Sequence, residues 1–216
     1  MKDLIQKLYF LCVDYQFDFA SPEGKASVIG DSPLFIANTL IPFLELHEIK
    51  VSEIVSDYRL PRGKSCSETC VPGTPGFQSL LPDHIRVGKQ HIKCMHNPLW
   101  TRENIGVADQ PIGKEYQSPE LFNRWVSHHF PEKTIPIVLF GETMECCLLN
   151  VAQELYFRGY DLFVLYEATD PMAARQIYKD DIIHHSSLSL YTKCITFKDL
   201  CSMLTEQTNA PAITKQ

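Results

Sequence analysis

Three residues are of types that could do chemistry together: Asp14, Lys89 and Cys147. A cysteine in the first turns of a helix meets the positive end of the helix dipole and free backbone N–H groups, both of which favour its thiolate. A lysine beside that sulfur would stabilise it. A carboxylate within reach could take the thiol proton and later return it to a leaving group. Each residue also has an ordinary reading: Asp14 can close a turn, Lys89 can be a solvated loop charge, and Cys147 can pack as a small hydrophobe. What joins them is placement just beyond predicted strands, where open α/β sheets bind ligands.

Those strands are read from apolar runs. Lys7 to Val13 is a continuous run of strand formers ending at Asp14, as expected for a strand buried on both faces. Asp31-Ser32-Pro33 starts a helix, within which Pro42 marks a kink or boundary. Ser52 to Ser56 is a second strand, followed by a loop rich in proline and glycine. Ile85-Arg86-Val87 is a third, leading directly to Lys89, with Lys93 as the competing lysine. The polar stretch around 94–118 carries Pro98, Gly106, Pro111 and Gly113 and reads as a lid insertion. A helix begins near Ser118-Pro119-Glu120. Strand and helix then alternate: strand Ile135 to Phe140, helix Met144 to Arg158, strand Leu162 to Tyr166, helix Pro171 to Asp181, strand Leu190 to Ile195, and a helix from Lys198. This order predicts a three-layer α/β/α fold around a mostly parallel, Rossmann-like central sheet. One domain spans 1–207, and 208–216 is a polar tail.

Composition narrows the function. A net charge of −6 on 216 residues gives no broad reason to approach nucleic acid or an anionic membrane. No apolar run approaches the roughly 20 residues a membrane helix needs. Met1 to Lys7 has no secretion-signal pattern, so a cytoplasmic protein with reduced thiols is expected from its 8 cysteines. Cys12 and Cys194 read as core residues. Cys66 and Cys70 have no second pair to complete a zinc site, and His128-His129 and His184-His185 read as solvated pairs. No metal is assigned. Trp100, in the lid, is a candidate pocket residue, whereas Trp125 reads as packing.

Three segments together resemble the isochorismatase-like cysteine hydrolases, the superfamily that includes nicotinamidases. Val13-Asp14-Tyr15-Gln16-Phe17-Asp18-Phe19 resembles its opening Asp-x-Gln-x-Asp-Phe strand end. Cys70-Val71-Pro72-Gly73-Thr74-Pro75-Gly76 is similar to a nicotinamidase-type loop. Gly141-Glu142-Thr143-Met144-Glu145-Cys146-Cys147, with Gly159-Tyr160 beyond it, resembles the nucleophile segment. The resemblance runs from about Leu8 to Ala168. It implies Asp14 as acid and base, Lys89 as the supporting lysine, and Cys147 rather than Cys146 as nucleophile. It also implies a cis peptide at Glu142-Thr143 that, with backbone N–H groups near Cys146, builds an oxyanion hole. Phe19, Trp100 and Met144 are candidate substrate contacts.

The implied reaction is hydrolysis of a small amide, imide or related C–N bond through a Cys147 thioester, with no cofactor. Nicotinamidases bind a metal through an Asp-x-His segment and a histidine before the Cys-Val loop. Here those positions read Asp57-Tyr58-Arg59 and Thr69, so no such metal is expected. A small-molecule substrate is the expected partner. The resemblance allows a homo-oligomer, for which the sequence names no interface. The alternative is a protein that keeps the fold for binding or regulation and has lost turnover.

Overall fold

The computed structural model describes residues 8–28, 30–172 and 177–206. In chain order the strands are β1 (Tyr9–Val13), β2 (Ser52–Ser56), β3 (His91–Lys93), β4 (Trp100–Thr101), β5 (Tyr116–Gln117), β6 (Ile137–Gly141), β7 (Leu162–Leu165) and β8 (Lys193–Ile195). Six of them form one sheet in the order β3-β2-β1-β6-β7-β8, with every pairing parallel. The expected three-layer α/β fold is observed.

Side-chain alternation along the strands builds the layers. In β1 and β6, Leu11, Val13, Ile137 and Leu139 face one way, onto a core shared with Phe122 and Val126 of helix Pro119–His129 and Val151 and Leu155 of helix Leu149–Tyr156. Phe10, Cys12, Val138 and Phe140 face the other, against Ile36, Leu40, Ile41, Leu44 and Leu200. Because both faces are covered, these central strands are apolar throughout rather than alternating with polar residues.

Pro42 neither ends nor interrupts its helix. The helical run continues through Ser32–Phe35, Ile36–Leu40 and Ile41–Leu46, and the middle piece is a π-turn in which the Ile41 N–H reaches the Ile36 carbonyl. Widening the ladder there admits a residue that has no N–H to give.

Two expected elements are corrected. The third strand is His91–Lys93, in register with Ile54 to Ser56; Ile85 closes a short 3-10 turn, and Arg86 makes only an isolated bridge to Val51. Leu188–Tyr191 is a helical turn, so the last strand starts at Lys193. The segment around 94–118 folds back on itself through the antiparallel pair β4 and β5. Part of the expected helix Pro171 to Asp181 and the whole tail 208–216 lie outside the described residues, as does Lys7. Among the described residues no helix is long and apolar enough to cross a membrane.

Candidate active site

The chain enters the sheet at β1, moves outward through β2 to β3, then returns to the far side of β1 at β6. β1 and β6 therefore flank the switch point, and ligand sites in such sheets lie beyond the carboxyl ends of strands at this place. Asp14 follows β1 with a left-handed φ of 55°, a conformation that aspartate tolerates better than most residues. Gly141 ends β6 at φ 110°, where a Cβ would run into the Val13 carbonyl; only glycine lets the two chains stay this close. Beyond it the Glu142-Thr143 peptide is cis, as the resemblance implies. The following turn, Met144–Leu148, carries Cys147.

Four strand ends converge on one buried network. The Lys93 ammonium, at the end of β3, donates to Asp14 Oδ2 at 2.7 Å, Ser56 Oγ at 2.6 Å and Tyr58 Oη at 2.9 Å, and lies 3.3 Å from Cys147 Sγ. Ser56 donates to the other Asp14 oxygen at 2.9 Å. Tyr58 Oη is 3.1 Å from Cys147 Sγ. Gln16 clamps the floor: its amide accepts from the Ser56 N–H at 2.7 Å and donates to the Ser56 and Phe77 carbonyls.

The lysine is Lys93, not Lys89. Lys89 is exposed, and its backbone carbonyl accepts from Trp125 Nε1 at 2.7 Å, outside the network. Asp14 and Cys147 stand where the sequence placed them. Met144 is fully buried, in the same core cluster as Cys147 and Tyr58. The Cys146 N–H reaches the Thr143 carbonyl at 3.2 Å. Phe19 lies edge-on to the Tyr58 ring, whereas Trp100 pairs with Gln117 and makes none of the described contacts with the network. Ser56 and Tyr58 carried no reading as site residues. Their signal is position, at and just past the end of β2, on the same sheet edge as Asp14.

Electrostatics follow burial. Burial alone would depress Lys93, but the Asp14 carboxylate, with Cys147 and Tyr58, outweighs it and holds the ammonium well above its ordinary range. Burial, then the negative Asp14, pushes the Cys147 thiol up to about 12, against the pull of Lys93 and the Tyr58 hydrogen bond. Burial and Asp14 thus oppose the thiolate, while Lys93 and the Tyr58 hydroxyl favour it. Burial and the neighbouring sulfur hold Tyr58 well above its ordinary range, so it remains a phenol.

The Asp57 corner does not fit a metal. Asp57 is fully buried and its Oδ1 accepts from the Arg59 N–H at 3.3 Å and Arg59 Nε at 2.9 Å; its Oδ2 accepts from an Arg59 terminal nitrogen at 2.7 Å and the Gly106 N–H at 2.8 Å. All four lone-pair positions of the carboxylate have donors. Thr69 is bridged to Tyr58 through backbone. Among the described residues no group of three or more His, Cys, Asp or Glu is placed to hold a metal ion. None of the eight cysteines is paired in a disulfide.

No family model matches the sequence, and no curated protein matches it. Solved structures do match. Pyrazinamidase of Pyrococcus horikoshii, in complex with zinc, is 15% identical over 88% of this chain and 99% of its own, with a TM-score of 0.61. An isochorismatase-like hydrolase from Alkaliphilus metalliredigens is 16% identical over 91% of this chain and 98% of its own, with a TM-score of 0.61. N-carbamoylsarcosine amidase from Thermoplasma acidophilum is 13% identical over 88% and 96%, with a TM-score of 0.58. The chain thus has the isochorismatase-like fold over nearly its whole length.

Proposed function

We propose that the protein is a metal-independent cysteine hydrolase acting on a small amide, imide or related C–N bond. The observation that carries this reading is the Lys93 ammonium at the switch point, 2.7 Å from Asp14 Oδ2 and 3.3 Å from Cys147 Sγ, with all three residues buried. The fold shared with amidases and isochorismatase-like hydrolases supports it.

Asp14 takes the thiol proton as Cys147 sulfur attacks the carbonyl carbon, forming the S–C bond and moving the π pair onto oxygen. Lys93 holds the aspartate and the developing thiolate in place by charge. The Cys147 N–H, at the helix start, is the donor we assign to the oxyanion. Collapse breaks the C–N bond while Asp14 returns the proton to nitrogen, leaving a thioester and a free amine. Water then gives its proton to Asp14 and its oxygen to the carbonyl. The C–S bond breaks, and the sulfur recovers its proton. No cofactor takes part.

The test is ammonia release from a panel of primary amides and N-carbamoyl compounds, with Cys147→Ala, Asp14→Asn and Cys146→Ala alongside the unmodified chain. Turnover lost in the first two and kept in the third is expected. Turnover surviving Cys147→Ala would overturn the mechanism. A chain inert to every amide, whose Cys147 reacts no faster than its other thiols, would be read as a binding or regulatory protein.

A further inference from the structure

Tyr58 stands in the segment that the resemblance associates with a metal, yet its side chain points away from the Asp57 corner and into the network. Its hydroxyl is 2.9 Å from Lys93 Nζ and 3.1 Å from Cys147 Sγ, and the residue is 3% exposed. Lys93 has three N–H bonds and four acceptors around it: Asp14, Ser56, Tyr58 and, farthest at 3.3 Å, the sulfur. A phenol that accepts from the ammonium has its own proton left to point elsewhere, and Cys147 Sγ is the acceptor in reach. The ring is held for this: Arg62 lies over its face at 4.1 Å, and Phe19 packs against it edge-on.

We propose that the Tyr58 hydroxyl is the hydrogen-bond donor that stabilises the Cys147 sulfur as it loses its proton, a fourth member of the site beside Asp14, Lys93 and Cys147. The proposal rests on reading Cys147 as the nucleophile. In the step itself the S–H bond breaks, the proton passes to Asp14, and the electron pair stays on sulfur facing the Tyr58 O–H, which remains intact. A donor is thereby already in place when charge appears on sulfur.

The experiment is the pH dependence of Cys147 alkylation by iodoacetamide, mapped by peptide mass spectrometry, in three full-length proteins: the unmodified chain, Tyr58→Phe, and a chain with 3-fluorotyrosine placed at position 58. Losing a hydrogen bond to a charged atom is expected to slow labelling at neutral pH by about 10-fold or more and to move the midpoint up in Tyr58→Phe. The more acidic fluorophenol is expected to move it down. Opposite shifts from one position are a signature that a packing role does not produce, and the fluorinated chain keeps the ring should Tyr58→Phe fold poorly. Equal midpoints in the fluorinated and unmodified chains would overturn the proposal while leaving the nucleophile standing. Cys147 labelling no faster than the other thiols in the unmodified chain would overturn both.

Discussion

Lys93 Nζ and Asp14 Oδ2 stand 2.7 Å apart with both side chains fully withdrawn from water, and Ser56 at the end of the intervening strand touches both. A buried pair of this kind costs far more to break than to replace, because removing one partner strands the other's charge.

Lys93→Ala is therefore expected to destabilise the fold by about 3–5 kcal/mol and to slow Cys147 alkylation. Lys89→Ala is expected to change neither. Urea unfolding and thiol mapping on the two variants separate the lysines, and equal behaviour would return the role to Lys89.

Glu142 gives a pH signature of its own. Burial, reinforced by Asp170 and opposed by the Ser32 hydrogen bond, raises its carboxyl from 4.5 to about 8. An acid whose pKa is higher folded than unfolded binds more protons in the folded state between those values, so its contribution to stability falls as pH rises from 4.5 to about 8. His91, depressed by burial from 6.5 to about 4, acts with the opposite sign below 6.5. The window from 6.5 to 8 thus isolates Glu142 from His91. The unfolding free energy from urea titration there should drop with pH by at most about 1.4 kcal/mol per unit, and Glu142→Gln should flatten the drop. A slope unchanged in Glu142→Gln would sink the assignment.

Arg59→Ala should leave Asp57 buried with two of its donors gone and release the carbonyls of Asn104 and Val107 that the guanidinium holds. We expect a loss of about 3 kcal/mol and faster proteolysis within 104–107. Arg59→Lys should recover little, because one ammonium cannot reproduce a two-pronged contact. Dialysis against a chelator should leave the unmodified chain's melting point in place; a drop would point to a bound ion at another position.

Gly141→Ala places a Cβ against the Val13 carbonyl at a backbone angle that only glycine adopts freely. Loss of soluble folded protein is expected, by circular dichroism, since the clash lies between the two central strands. A native-like spectrum and melting point would show that β1 and β6 can part without harm.

How much of this was legible beforehand depends on where the deciding contacts lie along the chain. β1, β6 and β7 announce themselves because they are covered on both faces and so read as apolar runs. His91-Ile92-Lys93 has two polar residues in three, and what makes it a strand is pairing to Ile54–Ser56, with its polar ends satisfied by the Pro98 carbonyl and the Asp14 carboxylate. Apolar periodicity is blind to both, so Ile85-Arg86-Val87 looked the better strand and drew the lysine assignment with it. Leu190 and Tyr191, the first residues of the expected strand Leu190 to Ile195, close a helical turn instead, and so short a run has no period to decide between the two. Asp14 and Cys147 could be found because their spacing to neighbouring glycines and strand ends is local. Tyr58 touches Cys147 from 89 positions away, and nothing in the segment around it shows that contact.

Asp57 has its counter-ion two residues along the same chain. A carboxylate that waits for an ion depends on supply, competition and trafficking, and its corner of the fold is unfinished until delivery. Here the counter-charge is translated with the aspartate. The same guanidinium fastens the 104–107 turn, so one side chain both neutralises the aspartate and ties down its neighbouring loop.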